Sequence, residues 1–481
     1  MLFNSFEFVI FFPVVTLLYF LVPHSWRIGL LLIASCIFYM AFIPAYVLIL
    51  FVLIVIDYWV ALEMEKLPIK QKKPFLILSI LATCLALLIF KYFNFFSANV
   101  GGLAHLIGWN YPITTLQIIL PIGLSFHTFQ SLAYIIEVYK GEQKAERNFW
   151  VYALYVMFYP QLVAGPIERP ANLLHQFYER HDFDYQRVTD GLKLMAWGLF
   201  KKVVIADRFA IYVNQVYGTP TYFHGPALVL ATLLFAFQIY CDFSGYSDIA
   251  IGAAQVMGFK LMDNFNRPYF SRSISEFWKR WHISLSTWFR DYLFMPLSGS
   301  SLMKRYWYGT LFITFLVSGL WHGANWTYVV WGALNGIYLL VAIWTSEWRS
   351  NFREKIGLDQ NPTLLANWQV LATFLLICFS WVFFRAFNMH DAIYILLHMP
   401  QGWFAKQGFN DAFGLSKGAF LYSVFLIGFL IMVHRLQDHG SIRHMLRNRP
   451  LWLRWGFYYA MILGILFGGV FQNTAFIYFQ F

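Results

Sequence analysis

Charged side chains are scarce in this sequence of 481 residues, because Asp, Glu, Lys and Arg together make up only 12% of it. Soluble domains carry about 25% charged residues, and half that charge does not cover the surface of a water-soluble globule of this size. Hydrophobic residues make up 59% of the chain, which excludes a disordered protein, since so much apolar surface does not stay in water. The sequence therefore predicts a multi-pass membrane protein.

The signatures of several familiar sites are absent as well. The sequence has no P-loop, no nucleophile elbow and no HExxH motif, and its histidines do not cluster with cysteines. These absences argue against a P-loop ATPase, an α/β-hydrolase and a zinc site, so we predict no metal. The four cysteines lie in apolar runs without CxxC spacing, which is typical of small buried hydrophobic residues.

The charge that is present is mostly positive, with 35 Lys and Arg against 24 Asp and Glu and a net charge of +11. In a membrane protein the excess of basic residues in cytoplasmic loops explains this balance, so we expect no nucleic-acid partner. Residues 8–22 are apolar, but no basic segment precedes them and no small-residue cleavage site follows. We interpret them as a retained first span and not as a cleaved signal peptide.

Apolar runs near the length of a bilayer span, about 20 residues, predict 11 or 12 transmembrane helices. The candidate spans are 8–23, 28–43, 45–63, 75–92, 112–135, 148–164, 225–242, 306–321, 326–345, 366–387, 417–434 and 456–473. Residues 191–215 carry Lys201, Lys202, Asp207 and Arg208 among their charged residues, so we expect at best a re-entrant or interfacial helix there. Residues 258–305 are polar, basic and aromatic together, and are too charged to cross the membrane.

Loop charge predicts the orientation of these spans. The basic loops that we place in the cytoplasm are 64–74, 140–147, 349–355 and 435–454. Loop 96–111 has no charged residue, and counting back from it places the N-terminus outside. The turn between 306–321 and 326–345 then lies toward the outer side. No internal repeat or linker is present, so we expect one integral membrane domain over 1–481.

The strongest candidate for chemistry is the histidine in the segment SGLWHGANW, residues 318–326. His322 lies at the junction of two apolar helices between small residues, where glycines let a backbone or a substrate approach closely. Imidazole suits proton transfer near neutral pH, and an ionisable group at membrane depth indicates a functional site. A histidine that only donates a helix–helix hydrogen bond is the equally weighted alternative.

A second candidate is the segment SEFWKRWHISLSTWFRDY, residues 275–292, whose tryptophans share one face at helical spacing. The favoured interpretation is an amphipathic helix at the membrane surface, with Glu276 and Arg280 as an i,i+4 pair. The alternative is that Lys279, Arg280 and His282 line a site for an anionic donor such as a CoA phosphate, because Arg suits phosphate oxygens.

Four further segments with polar residues remain. The segment CDFSGYSD, residues 241–248, closes an apolar span. Its carboxylates could bind a cation, but pairing with Lys or Arg of the neighbouring polar region is the favoured interpretation. NFNRPY, residues 264–269, is typical of a turn. PIGLSFHTFQS, residues 121–131, and YPQLVAGPIERP, residues 159–170, predict broken helices that line a polar cavity.

These segments, in this order, resemble the bacterial branch of the membrane-bound O-acyltransferase (MBOAT) family over about residues 3–345. The resemblance implies an all-α, polytopic helix bundle with a central tunnel, in which a cytoplasmic acyl donor and an outer acceptor meet. The family's invariant histidine falls on His322 and its second conserved polar position on His282. The chain departs from common family residues at His127, at residues 298–300 and at residues 335–336, which bears on the acceptor.

The resemblance implies His322 as the general base and His282 as a residue that orients donor or acceptor. The expected substrate-binding residues are Trp321, Asn325, Trp326, Arg280, Lys279, Asp242, Ser244, Asp248, Asn264, Asn266 and Ser125. The implied donor is acetyl-CoA with no tightly bound cofactor, and the implied location is the bacterial inner membrane. The implied acceptor is a cell-envelope polysaccharide such as alginate or peptidoglycan, reached through a periplasmic or extracellular partner acetyltransferase.

Other functions stay open at this point. D-alanyl or another acyl transfer uses similar membrane subunits. A transporter without chemistry would also use broken helices and polar residues inside the membrane, although no inverted repeat is present. A scaffold of a polysaccharide export complex would use residues 275–292 as a docking surface.

Overall fold

The computed structural model describes residues 1–481 except 110, 112–114, 117–120, 122, 164, 300–305, 405–407, 472–475 and 478–481. Every regular element among the described residues is helical, and none of them forms a strand. The predicted all-α class is therefore confirmed. The described helices divide into two compact units.

The first unit contains Met1–Met195 and Ile249–Asp263. Its helices are Phe6–Leu21, His24–Met40, Tyr46–Lys66, Ile69–Leu87, Phe93–Leu106, Leu124–Lys140, Phe149–Met157 and Pro170–Leu173, with the first part of Tyr185–Phe200. A π-helical turn, Leu88–Tyr92, joins two of them.

The second unit contains Ala196–Asp248 and Asn264–Gln480. Its larger helices are Asp207–Gly218, the first part of Gly225–Met257, Ile274–Arg280, Ile283–Phe289, Trp307–His322, Trp326–Trp344, Ser346–Lys355, Pro362–Arg385, Met389–His398, Lys417–Leu436 and Leu451–Gly468. Its shorter helices are Met295–Gly299, Phe409–Phe413 and Ile442–Arg447. The π-helical segments Lys201–Ala206 and Arg290–Phe294 also belong to it.

Seven helices within the described ranges are long and apolar enough to cross a membrane: Tyr46–Lys66, Ile69–Leu106, Gly225–Met257, Trp326–Trp344, Pro362–Arg385, Lys417–His439 and Leu451–Gly468. Phe6–Leu21 and His24–Met40 are shorter apolar helices. A polytopic membrane protein is confirmed, although the predicted 11 or 12 spans are not all long enough by this measure.

The predicted span 148–164 is an apolar run that does not form a helix long enough to cross a membrane. Its helix, Phe149–Met157, has nine residues, less than half of a bilayer span. Phe158 leaves the helix with φ −53° and ψ 110°, and Pro160 disfavours helical backbone at the residue before it. Part of the predicted span 112–135 lies outside the described residues, and its helix begins at Leu124.

The helices Trp307–His322 and Trp326–Trp344 pack closely because glycines face each other at their crossing. A Cβ atom on Gly319 would lie well inside 3.0 Å of the Tyr328 carbonyl oxygen, and one on Gly332 equally close to the Phe315 carbonyl oxygen. Small residues at such crossings let transmembrane backbones approach. The expected role of glycine in this segment is therefore confirmed for helix–helix packing.

Gly319→Ala is expected to lower the free energy of unfolding by about 1–3 kcal/mol, because the added methyl group overpacks this crossing. Gly309→Ala is the matched control in the same helix, since no atom lies within 4 Å of its Cβ position; it is expected to be neutral or stabilising by about 0.5–1 kcal/mol. Thermal unfolding in detergent compares the two, and equal midpoints would contradict the close crossing.

Candidate active site

His322 is the last residue of its helix, and the local sequence explains why the helix ends there. Gly323 follows in extended conformation, with φ −164° and ψ 149°. A Cβ on Gly323 would collide with the ring of Tyr328, so the chain needs glycine to turn. Asn325 then starts the next helix by accepting a hydrogen bond from the Thr327 N–H at 3.1 Å, a standard N-cap. The imidazole is thus held between two defined helix ends.

The imidazole of His322 is buried among aromatic rings and is 5% exposed. Its ring meets Trp331 edge-on at 4.9 Å between centroids and Phe384 at 5.2 Å. The ring of Trp321 lies 4.8 Å away. These aromatic neighbours fix the orientation of the imidazole and keep water from these faces of the ring.

His282 lies at the break between two short helices. The expected single amphipathic helix over 275–292 is wrong, because Ile274–Arg280 ends at Trp281 and Ile283–Phe289 begins after His282. His282 adopts the left-handed conformation, with φ 45° and ψ 56°, which few residues other than glycine adopt. The expected pairing of Glu276 with Arg280 is confirmed at 2.6 Å.

Two of the tryptophans on the predicted apolar face are buried within the protein and do not lie at the membrane surface. Trp281 is 1% exposed and Trp288 6% exposed, so both belong to the core of the second unit. His282 itself is 1% exposed. Burial lowers the pKa of His282 to about 3, so this imidazole is neutral at physiological pH.

One cavity of 470 Å³ brings the two histidines together within the second unit. His282 and His322 both line it, and most of its surface is apolar. The helix of His322 also contributes Thr314 and Ser318 to the lining. Residues 314, 318 and 322 are spaced by four and lie on one helix face, so hydroxyls at this spacing before His322 were a sequence signal for the site.

Of the two basic residues expected to bind the donor, Lys279 lines the cavity and Arg280 does not. Lys279 is exposed and lines the cavity, so it lies where the cavity opens. The guanidinium of Arg280 pairs instead with Glu276, and Arg280 does not belong to the cavity lining. Arg290, which the sequence reasoning missed, lines the cavity from the π-helical segment Arg290–Phe294 and also pairs with the neighbouring Asp291 at 2.7 Å. Such segments are frequent at functional sites.

Three expected substrate-binding residues near His322 do not line the cavity. Trp321 contacts the imidazole, as described above. The Asn325 side chain caps a helix and donates from Nδ2 to the Phe387 carbonyl at 2.9 Å. Trp326 is 53% exposed at the start of its helix. The expected contact of these three residues with substrate is not supported by the cavity lining.

Asp242, Ser244 and Asp248 form a buried charge cluster with two lysines. Lys202 Nζ lies 2.6 Å from Asp242 Oδ1 and 2.9 Å from Asp207 Oδ1. Lys201 Nζ lies 2.9 Å from Asp248 Oδ2 and donates to Ser244 Oγ at 2.8 Å. The favoured prediction of ion pairing is confirmed, but the partners are these two lysines, which precede the span, and not basic residues of the polar region that follows it.

Electrostatics keep Lys202 charged in this cluster. Burial opposes the charged form, but the carboxylates of Asp242 and Asp207 outweigh it and raise the pKa of Lys202 above its usual value. Gly245 allows its helix, Gly225–Met257, to lie close to the backbone of Gly198, since a Cβ on Gly245 would lie 2.7 Å from the Gly198 carbonyl oxygen. The cluster therefore neutralises its own charges within the second unit, and its residues do not line the cavity.

The remaining expected residues lie in three different settings. Asn264 is 1% exposed and hydrogen-bonds to His282 Nδ1 at 3.0 Å. Asn266 donates its backbone N–H to the Arg280 carbonyl at 2.9 Å, which holds the turn against the helix before Trp281. Ser125 is half-buried near the start of Leu124–Lys140 in the first unit. Of these three, only Asn264 contacts a cavity residue that we predicted as catalytic.

The family model described as MBOAT, membrane-bound O-acyltransferase family, matches residues 147–387. The probable alginate O-acetylase AlgI of Pseudomonas aeruginosa is 39% identical to this chain, and the match covers 82% of this chain and 73% of the relative's own length. The peptidoglycan O-acetyltransferase of Helicobacter pylori is 36% identical over 83% of this chain and 80% of its own length. The teichoic acid D-alanyltransferase of Bacillus subtilis is 27% identical over 56% of this chain and 69% of its own length.

Proposed function

The chain belongs to the membrane-bound O-acyltransferase family and is an O-acyltransferase, and from that premise we propose that it transfers acetyl groups across the bacterial inner membrane for O-acetylation of a cell-envelope polysaccharide. The donor is cytoplasmic acetyl-CoA. The observation that carries the proposal is the single cavity that His282 and His322 share. The names of the relatives favour alginate or peptidoglycan as the polymer.

His322 acts as the general base at this cavity. An acceptor hydroxyl oxygen attacks the carbonyl carbon of the acetyl thioester, and His322 takes the hydroxyl proton. The new ester C–O bond forms, the C–S bond breaks, and the proton passes to the leaving thiolate. The aromatic rings around His322 exclude water, which would otherwise hydrolyse the thioester.

His282 orients the acceptor hydroxyl as a neutral hydrogen-bond acceptor. Its pKa of about 3 makes it a weak base near pH 7, and general bases work best when their pKa lies near the operating pH. The two histidines therefore divide the work, with His282 accepting a hydrogen bond and His322 accepting the proton.

Lys279 and Arg290 bind the phosphates of the donor at the opening of the cavity. Both side chains belong to the lining and carry positive charge, and the exposed position of Lys279 suits a ligand whose charged part stays near water. Lys279→Ala is expected to raise the KM for acetyl-CoA about tenfold and to leave kcat within about twofold, because it removes ground-state binding. An unchanged KM would contradict this position for the phosphates.

The direct acceptor is a separately encoded periplasmic or extracellular acetyltransferase, which passes the acetyl group to the polymer. This is the favoured acceptor because the cavity is largely apolar, whereas a polysaccharide chain needs many polar partners to replace its water.

The function is tested with the purified protein in proteoliposomes, with labelled acetyl-CoA on one side and candidate acceptors on the other. We expect loss of the thioester and appearance of the label on an acceptor across the bilayer. Turnover with a D-alanyl carrier protein and none with acetyl-CoA would assign the alternative acyl group instead. No acyl turnover with any donor and acceptor pair would contradict the acyl-transfer chemistry proposed for the cavity.

A further inference from the structure

The backbone at His282 is held in a conformation that costs energy. Its φ of 45° lies in the left-handed region, and Arg267 is the other residue besides glycine with positive φ within the described ranges. Such a conformation persists only where the surrounding contacts determine it, and it concentrates at functional sites. The contacts that hold His282 in this conformation therefore indicate how the site uses its imidazole.

The rings of Phe243 and Phe265 pack against the imidazole at 4.5 and 6.5 Å between centroids, and several hydrogen bonds come from one residue, Asn264. Its Oδ1 faces His282 Nδ1 at 3.0 Å and accepts hydrogen bonds from the backbone N–H of Ser284 at 3.3 Å and from Ser284 Oγ at 3.0 Å. Its Nδ2 donates to Ser247 Oγ at 3.2 Å, and its backbone carbonyl accepts from the Ile283 N–H at 2.9 Å. Asn264 thus contacts the ring of His282 and the backbone of the two residues that follow it.

This geometry determines which nitrogen of His282 carries the proton. A backbone N–H only donates, so the amide atom of Asn264 that faces the Ser284 N–H must be the oxygen. The same oxygen faces His282 Nδ1, which must therefore be the protonated nitrogen of the neutral ring. The lone pair then lies on Nε2, on the opposite side of the ring from Asn264.

We propose that Asn264 is a positioning residue that fixes the Nδ1–H tautomer of His282 and so presents Nε2 as the hydrogen-bond acceptor for the hydroxyl that receives the acyl group. This inference rests on the proposed function of the cavity. It also replaces the expectation that Asn264 binds substrate directly, because all of its described side-chain contacts are to Ser247, His282 and Ser284.

Nitrogen-15 NMR of the histidine-labelled protein in nanodiscs reads the tautomer without any turnover. The signal of His282 is assigned as the one that disappears in His282→Gln. We expect the native signal to show a protonated Nδ1 and an unprotonated Nε2. A native protein with the proton on Nε2 would overturn the proposal, whatever the activity measurements give.

Variants of Asn264 connect the tautomer to catalysis. Asn264→Leu has a similar volume but offers no acceptor, and we expect a mixed tautomer with kcat about 10–100-fold lower, as for other partners that orient a functional histidine. Asn264→Asp keeps an oxygen toward Nδ1 whether or not the carboxyl group is ionised, so we expect the native tautomer and recovery of most of the activity. Ser247→Ala removes only the partner of Nδ2 and should preserve the tautomer.

The tautomer and activity measurements together test the proposed function and the positioning role of Asn264 separately. A native tautomer as expected, with no acyl transfer by the native protein, would contradict the proposed function and leave the role of Asn264 in the structure intact. Acyl transfer that is unchanged in a folded Asn264→Leu variant would overturn the positioning role alone. If Asn264→Leu does not fold, the native tautomer and the activity of Asn264→Asp still decide the question.

Discussion

His322→Gln is expected to lower the rate of acetyl transfer about 10²–10⁴-fold, the contribution of a positioned general base. Glutamine keeps a polar side chain of similar length but does not take a proton at neutral pH. The aromatic neighbours Trp331 and Phe384 still surround the position, so the fold should persist. The measurement is the initial rate of label transfer by proteoliposomes that contain equal amounts of folded protein.

The matched control for this prediction is His434→Gln. His434 is 6% exposed, close to the 5% of His322, and hydrogen-bonds to the Tyr240 hydroxyl at 3.0 Å, but it does not line the cavity. Its replacement removes a buried imidazole of the same unit and should change the transfer rate by less than about twofold. Equal losses in the two variants would indicate general damage, and an active His322→Gln variant would exclude His322 as the base.

Lys202→Met is expected to destabilise the protein by about 3–5 kcal/mol, because it leaves Asp242 and Asp207 without the ammonium group that they share. These two carboxylate residues are 3% and 2% exposed, so water does not replace the lost partner. We expect little folded protein after extraction into detergent. Fluorescence-detected size-exclusion chromatography after a series of heating steps measures the loss.

Two further variants make this prediction specific. Lys66 pairs with Glu63 at 2.7 Å, but its side chain is 60% exposed, and exposed pairs contribute less than about 1 kcal/mol. Lys66→Met should therefore unfold at nearly the native temperature. The triple variant Lys202→Met, Asp207→Asn, Asp242→Asn removes the uncompensated charges and should recover part of the loss. A stable Lys202→Met variant would show that the cluster contributes little.

The prediction of a site at His322 rests on a residue that is unusual where it stands. His322 interrupts an apolar stretch between glycines, and an ionisable group in that setting indicates a functional site. Ion pairing of the carboxylates in residues 241–248 was predictable for the same reason, since buried charges need partners. The lysines that pair with them were harder to name, because more than 30 residues separate Lys202 from Asp242 in the chain.

Helical periodicity misled the prediction at residues 275–292. The tryptophans there repeat at helical spacing, but the helix breaks at His282 because Asn264, 18 residues earlier, bonds to the ring of His282 and to the backbone of Ile283. Long-range hydrogen bonds of this kind leave no local pattern. For the same reason the sequence did not predict the hydrogen bond between Asn264 and His282.

The position of the acyl group relative to the two histidines tests the account most directly. The measurement is a cryo-electron microscopy structure of the protein with an acetyl-CoA analogue whose thioester sulfur is replaced by a methylene group. We predict its acetyl carbonyl in the cavity between His282 and His322, with the phosphates near Lys279 and Arg290. An acetyl group bound elsewhere, with this cavity empty, would contradict the account.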